Sequence, residues 1–325
     1  MMYLVGNLDG GYKYFIKKVY EKLSEKLEDK VKLVNVKIKT FRDGEIKVKI
    51  EENVREKICF YIHDCSLPPN DWFLQLSFIN YALKYSSASK VVDVLPYLYF
   101  SRQDRKDESR VAINARVVAD NISLYADEVI TCDLHSPQIQ AFYSIPLNNL
   151  YSFPHAIDQM LMDEETRKDF YDGLVIMSPD AGGVKRAESF LKRLSKKINK
   201  EIDLVFGYKK RPKEGEVSEY KVSGNVKDIK GKNVLIVDDI IDSGNTLINA
   251  ARVLKENKAK KVFAYATHGL FTEGYEKLLN ILDRIFVSNT KPQDEKKVKV
   301  IDLSDLFAEA IYRIYTGQSL SILFE

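Results

Sequence analysis

Residues 234–246 read VLIVDDIIDSGNT: four apolar residues, then Asp238 and Asp239 side by side, Asp242 three positions on, and the run Ser243, Gly244, Asn245 and Thr246. Gly and Asn tolerate unusual backbone angles, so the N–H groups of such a run can turn toward one point. The sequence that follows, LINAARVLKEN, is a good helix, and a Ser/Gly/Asn/Thr loop at a helix N-terminus is a natural phosphate site. Carboxylates beside a phosphate would repel it, so the three acids suit other work: hydrogen bonds to sugar hydroxyls, or a divalent cation. Two plainer readings compete. Asp and Ser at a strand–helix junction can be no more than a turn and an N-cap. Paired acids after an apolar strand also suit P-loop nucleotidases, but these need GxxxxGK[ST] upstream, and GNVKDIKGKN has the wrong spacing.

Other polar bursts have the same character. FRDGE (41–45) reads as a turn before the strand EIKVKI, and SRQDRKDESR (101–110) as a solvated loop after an apolar strand. CDLHS (132–136) puts Asp133 and His135 two apart at a strand end, where alternation places both on one side; a lone His is more often structural. SPDAGG (178–183) carries Asp180 beside Gly182 and Gly183, which permit close backbone approach. The stretch YKKRPKEGEVSEYKVSG (208–224) is long, polar and poorly periodic, and reads as a mobile surface loop.

These loops need a frame. The apolar runs MMYLV, ICFYIHD, KVVDVLPYL, EVITCDLH, GLVIM, KNVLIVDD and KVFAYATHG look like buried strands, mostly with helical segments between them. In YKYFIKKVYEKLSEKL, Phe15, Val19, Leu23 and Leu27 form one helix stripe. The alternation predicts an α/β fold with mostly parallel sheets, whose ligands bind outside the carboxyl ends of the strands. A chain of 325 residues favours two domains of about 150 residues. A second strand-and-loop series starts after NNLYSFPHAIDQM, which divides the chain into 1–151 and 152–325. Net charge is only +3, which makes no case for nucleic acid or a membrane surface as partner. Cys59, Cys65 and Cys132 are sparse and lack metal-ligand spacing, as structural thiols of a reducing cytosol would be. The N-terminus does not read as a signal peptide, so the expected location is the cytoplasm.

The loop at 238–246 resembles the phosphoribosyl-binding loop of type I phosphoribosyltransferases. The whole chain, from FRDGE to SLSILF, resembles the ribose-phosphate pyrophosphokinases (PRPP synthetases), with six or more motifs in that family's order. The resemblance implies two tandem phosphoribosyltransferase-like domains, the last segment packing back on the first. It implies transfer of the β,γ-pyrophosphoryl group of Mg²⁺-bound ATP to the C1 hydroxyl of ribose 5-phosphate, giving PRPP and AMP. Asp238, Asp239 and Asp242 would orient the ribose hydroxyls, and Ser243, Gly244, Asn245 and Thr246 would cradle the 5-phosphate. Asn245 stands where relatives carry a small residue, and Asn accepts left-handed angles. Asp43, Gly44 and Glu45 would reach the adenine end of ATP in a neighbouring subunit. Arg102, Gln103 and His135 would contact ATP, while Asp133, His135 and Asp180 would meet the Mg²⁺. Lys209 and Arg211 match the cations of the family's catalytic loop, here a few residues longer.

Ser109, Arg110, Ser319, Ser321 and Phe324 resemble parts of an anion-binding regulatory surface. Ser144 and Asn148 stand where the family commonly has Asp, which leaves phosphate and ADP as effectors open. The likeness also implies self-association, with a dimer as the minimal unit and a hexamer as the expected assembly. Three rival functions share parts of this pattern: a transferase that consumes PRPP, a non-catalytic regulatory subunit, and a synthetase acting on a larger ribose 5-phosphate derivative. The transferase needs neither FRDGE nor SRQD, and regulatory subunits tend to lose the loop cations.

Overall fold

The computed structural model describes residues 1–210, 219–224 and 226–323. The chain divides into two compact units, one of Met1–Tyr151, Thr290–Pro292 and Leu303–Glu325, the other of Ser152–Asn289 and Gln293–Asp302. Among the described residues the strands form two seven-stranded sheets.

In the first unit the chain runs through β1 (Met2–Gly6), α1 (Lys13–Leu27), β2 (Val31–Thr40), β3 (Ile46–Ile50), β4 (Ile58–Ile62), α2 (Pro69–Tyr85), β5 (Lys90–Leu95), α3 (Asn114–Tyr125), β6 (Glu128–Cys132) and β7 (Leu147–Leu150). The sheet order is β3-β2-β1-β4-β5-β6-β7. Only the β2–β3 hairpin pairs antiparallel; the other neighbours are parallel. β1, MYLVG, is buried throughout, as expected where helices cover both faces of a parallel sheet. On α1 the buried stripe is Phe15, Ile16, Val19, Leu23 and Leu27, the predicted face with Ile16 added.

The second unit contains α4 (Phe153–Met162), α5 (Glu164–Tyr171), β8 (Leu174–Ser178), α6 (Val184–Ile198), β9 (Asp203–Lys210), β10 (Glu219–Gly224), β11 (Asn233–Ile241), α7 (Asn245–Glu256), β12 (Lys261–Gly269), α8 (Glu276–Leu279), β13 (Arg284–Ser288) and β14 (Lys299–Ile301). Its order, β10-β9-β8-β11-β12-β13-β14, repeats that of the first unit position for position, including one antiparallel hairpin at the edge. In each sheet the order reverses beside the first strand, between β1 and β4 and between β8 and β11. Such reversals open a crevice at the strands' carboxyl ends. The α/β reading with mostly parallel sheets is therefore correct.

One expectation needs correction. The stretch 208–224 is not loop at its ends: Tyr208–Lys210 closes β9, and Glu219–Gly224 forms β10 in antiparallel register with it. Tyr220 and Val222 pack against the second unit's apolar core. Their spacing of two was a strand signal that the charged neighbours obscured.

The final helix, α9 (Ser304–Thr316), belongs to the first unit and packs on α1, with Phe307 edge-on to Phe15 at 5.6 Å and Glu309 bridged to Lys26 at 2.9 Å. In the same unit Lys291 Nζ donates to the Cys65 carbonyl at 2.6 Å and to the Tyr99 hydroxyl, and lies 4.7 Å from the centre of the Tyr99 ring. The three cysteines are buried and form no disulfide among the described residues, and burial pushes the Cys59 and Cys65 thiols up to about 12. Among the described residues no helix is long and apolar enough to cross a membrane.

Two buried titratable groups in the first unit pull stability in opposite directions. His63 is buried; its Nε2–H donates to the Trp72 carbonyl at 2.8 Å and its Nδ1 accepts from the Tyr61 hydroxyl at 2.5 Å. Burial lowers its pKa from 6.5 to about 4, so its contribution is lost as pH falls below 6.5. Asp93 on β5 accepts from Asn80 Nδ2 at 2.6 Å, and burial raises its pKa from 3.8 to about 7. The fold therefore prefers Asp93 protonated, and that contribution is present below pH 3.8 and lost as pH rises through 7. Asp93→Asn removes the titration. Relative to the wild type, the variant should gain stability as pH rises across this window, by up to about 4 kcal/mol. Urea unfolding at a series of pH values measures the difference; one independent of pH would mean that Asp93 is ionised in the fold.

Candidate functional site

The crevice of the second unit is built by the ends of β8 and β11. β11 pairs with β8 only as far as Ile236↔Met177, but runs on beside β12 through Asp238↔Ala266 to Ile241↔Gly269. Asp238 and Asp239 thus sit within the strand, on the part that outruns β8. Arg186, in the first turn of α6, reaches both: its Nη1 lies 3.0 Å from Asp239 Oδ1 and 3.5 Å from Asp238 Oδ1. The Asp239 amide also donates to Asp238 Oδ1 at 2.8 Å. Burial first, and then the neighbouring Asp239 carboxylate, push the Asp238 pKa well above its usual value, with Arg186 opposing.

Arg186 starts where the SPDAGG loop places it. The Ser178 hydroxyl donates to the Asp180 carbonyl at 2.7 Å, and the Gly183 amide to Asp180 Oδ1 at 2.8 Å. A Cβ on Gly183 would come within 2.9 Å of Ser178 Oγ. This winds the loop tightly and begins α6 at Val184, with the Asp180 residue exposed. Its second carboxylate oxygen is the one not bonded to Gly183, and an exposed oxygen donor suits Mg²⁺.

Beyond β11, the Thr272 hydroxyl donates to Asp242 Oδ1 at 2.7 Å. Gly244 has φ +80, and a Cβ there would fall 2.7 Å from Leu278 Cδ1, so both conformation and space demand glycine. The left-handed residue is therefore Gly244 and not Asn245, which is the first residue of α7 and donates its side-chain amide to Ser243 Oγ at 3.1 Å. The first turn of α7 holds no acidic residue, which leaves its amide end favourable to an anion.

In the first unit, Arg102 and Gln103 line a cleft of ≈ 290 Å³ together with Arg105, Asp107, Val111 and Ala112. The Gln103 carbonyl accepts from Ala115 N at 3.2 Å, and its side chain from Asn114, tying the loop to the start of α3. Ser109 and Arg110 are exposed, the latter with φ +66. Asp43, Gly44 and Glu45 form the exposed β2–β3 turn, with Gly44 at φ +94 and the Glu45 amide on Asp43 Oδ1 at 3.1 Å; they do not line the cleft.

The expectation that Asp133 and His135 share one side of a strand end is not met. β6 stops at Cys132 and Asp133 turns left-handed, φ +42, which breaks the two-residue alternation. Asp133 is buried and His135 exposed. Among the described residues no group of three or more His, Cys, Asp or Glu is arranged as a metal cage. Mg²⁺ on a nucleotide needs no such cage, since one or two carboxylates and the phosphates suffice.

Asn148 donates to Glu128 Oε1 at 2.7 Å, and Lys90 holds the other oxygen of Glu128 at 2.6 Å. An Asp at 148 would face a carboxylate, so the amide is the complementary choice. Ser144 is exposed. Ser319 and Ser321 share a hydroxyl hydrogen bond of 2.8 Å, and Arg313 donates to the Ser319 carbonyl at 3.0 Å. Lys209 lies on β9 with Tyr220 as its register partner; Arg211 and Phe324 lie outside the described residues.

Sequence reading missed Arg186, Thr272 and Tyr220. A basic residue three positions after the second Gly of SPDAGG was a usable signal for Arg186, and the alternation of Tyr220 with Val222 a weak one for Tyr220; nothing local marked Thr272.

The sequence profile of the N-terminal domain of ribose phosphate pyrophosphokinase matches residues 11–125, and that of a phosphoribosyl synthetase-associated domain matches 217–325. The chain is 39% identical over 299 residues to the ribose-phosphate pyrophosphokinase of Chlorobaculum tepidum, covering 90% of this chain and 88% of the relative. It is 40% identical over 314 residues to that of Haemophilus ducreyi, covering 94% and 95%. The crystal structure of phosphoribosylpyrophosphate synthetase from Mycobacterium smegmatis superposes with a TM-score of 0.82 at 27% identity, covering 97% of this chain and 99% of that one.

Arg186→Met should leave the two acids of β11 repelling each other without a counter-charge. We expect a loss of about 1.5–3 kcal/mol in stability, larger as pH rises, because a raised Asp238 pKa favours a proton shared by the pair as pH falls. Thermal unfolding over a series of pH values tests this; a loss independent of pH would mean that Arg186 acts through packing alone.

Proposed function

The chain belongs to the ribose-phosphate pyrophosphokinase family, and from that premise we propose how its residues divide the work of making PRPP. The C1 hydroxyl oxygen of ribose 5-phosphate attacks the β-phosphorus of ATP. The bond from that phosphorus to the oxygen bridging it to the α-phosphate breaks, AMP leaves with that oxygen, and the hydroxyl proton is released. This chemistry asks for positioning and charge neutralisation more than covalent help.

The observation that carries the assignment is the crevice between β8 and β11, where paired acids, a left-handed Gly244 and an acid-free helix start adjoin. Asp238 and Asp239 would accept from the ribose hydroxyls, with Asp242 beside them held by Thr272. The amides and hydroxyls of Ser243–Thr246 would take the 5-phosphate at the start of α7. Asp180, with one oxygen outside its loop's own hydrogen bonds, would meet the Mg²⁺ of ATP, and Asp133 and His135 are the first unit's candidates for contact with Mg²⁺ and the ATP phosphates. The chemistry that a bound Mg²⁺ would supply is neutralisation of the triphosphate and polarisation of the phosphorus under attack.

In the first unit, Arg102 and Gln103 would hold ATP at their cleft, and the turn Asp43–Glu45 would serve the adenine end in a second copy of the chain. Lys209 and Arg211 would stabilise charge as it moves to the leaving AMP. The cytoplasm, a dimer as the minimal active unit and a hexamer as the assembly complete the reading. Ser109, Arg110, Ser319, Ser321 and Phe324 are the residues through which phosphate or ADP would act as effectors, and Ser144 and Asn148 leave that control open.

Incubating the protein with Mg²⁺, ATP and ribose 5-phosphate should yield AMP and PRPP in equal amounts, and AMP release that does not require the sugar would refute the reading. Lys209→Ala should lower kcat by about 100-fold or more while KM for ATP changes little. A rise in KM with kcat kept would make Lys209 a binding residue only.

A further inference from the structure

Tyr220 lies on the edge strand β10, level with Lys209 of β9, and Val222 is level with Gly207. β9 in turn is level with β8 at Phe206↔Ser178, so Gly207 stands beside Pro179 at the mouth of the crevice. The Tyr220 phenol crosses β9 and donates to the Pro179 carbonyl at 2.7 Å. It crosses at Gly207, where a Cβ would lie 1.8 Å from the phenol oxygen and 2.4 Å from Cζ. Gly207 has no left-handed φ, so space and not backbone conformation demands glycine there. Burial, together with the carboxylates of Asp180 and Asp238, raises the phenol pKa, and the hydroxyl stays a donor at neutral pH.

The residue that follows Pro179 is Asp180. The SPDAGG loop holds itself through Ser178 and Gly183, and Tyr220 grips it from outside through a carbonyl one residue away from that carboxylate. We propose that Tyr220 is a positioning residue: its phenol clasps the Asp180 loop to the β9–β10 hairpin, and Gly207 is the gap through which it passes. The hairpin that carries Lys209 and the loop that carries Asp180 are thereby set in one register, which fixes where a metal-bound phosphate would stand relative to both. The consequence for Mg²⁺ and ATP rests on the function proposed above; the clasp itself does not.

Tyr220→Phe keeps the ring and removes the donor. In the full-length protein without ligands, hydrogen–deuterium exchange of the amides of residues 180–183 should rise by about three- to tenfold, the worth of one hydrogen bond. The Mg²⁺ concentration giving half-maximal AMP formation should rise by a similar factor, with KM for ribose 5-phosphate unchanged. Gly207→Ala, which pushes the phenol away, should reproduce both effects. Unchanged exchange at 180–183 overturns the clasp whatever the activity does. Faster exchange with an unchanged Mg²⁺ requirement overturns the positioning role. A wild type that forms no sugar-dependent AMP refutes the proposed function instead, and exchange still decides the clasp.

Discussion

Two carboxylates on adjacent residues of a largely buried strand repel each other, and the second unit is organised around that repulsion. Two unit charges about 4 Å apart repel by about 4 kcal/mol at an effective dielectric near 20. The fold answers with the Arg186 guanidinium, shared between Asp238 and Asp239, and with a raised pKa at Asp238. Arg186 can reach them only because α6 begins at Val184, and α6 begins there because Asp180 and Ser178 wind the preceding loop so tightly. The acids, the arginine and the Asp180 loop are thus one construction. A ligand that offers hydroxyl donors to the acids relieves the same repulsion, which makes the pair a better receiver of a sugar than of a phosphate.

The two units share a strand order but not a use for it. In the first unit the reversal between β1 and β4 is filled by the chain itself. A Cβ on Gly10 would lie 2.1 Å from Asp64 Oδ2 and one on Gly11 2.5 Å from Ser66 Oγ, while Asp64 is buried and accepts from the Ser66 amide at 2.8 Å. Two exposed cations lie instead after β5, where Arg102 and Arg105 line a cleft with Gln103. In the second unit the reversal keeps polar groups at its mouth: Asp238, partly exposed, and Asp180, exposed. One topology therefore offers two kinds of place, according to which strand ends the side chains leave free.

Much of this was legible in the sequence, because parallel strands buried on both faces read as unbroken apolar runs: VLIV, GLVIM and ICFYI all became strands. The loops after them were also in the expected places. What escaped had physical causes. Arg186 and the acids it pairs with are 52 and 53 residues apart, and no local pattern encodes such a pairing. The left-handed turn at Asp133 defeats an alternation argument that holds only while the strand lasts. Asn245 looked like the residue at the sharp bend, but Gly244 next to it takes the bend at lower cost, leaving Asn245 to begin the helix. In 208–224 charge masked the alternation of Tyr220 and Val222, since polarity marks exposure and says little about pairing.

The distribution of cations has a consequence for catalysis of the proposed kind. A guanidinium already shared by two carboxylates has little charge left for a phosphate. Arg186 therefore cannot neutralise a triphosphate without releasing Asp238 and Asp239, and these need it most when no sugar is bound. On the function proposed above, the charge that a moving pyrophosphoryl group requires would come from other cations, and Arg102 at the cleft of the first unit and Lys209 on the β9–β10 hairpin are the candidates that the sequence offered. With the cation that stabilises the acids distinct from those proposed to meet the nucleotide, a sugar held by Asp238 and Asp239 would keep its place through the transfer, and only the charges on the nucleotide side would need to respond as the bond to AMP breaks.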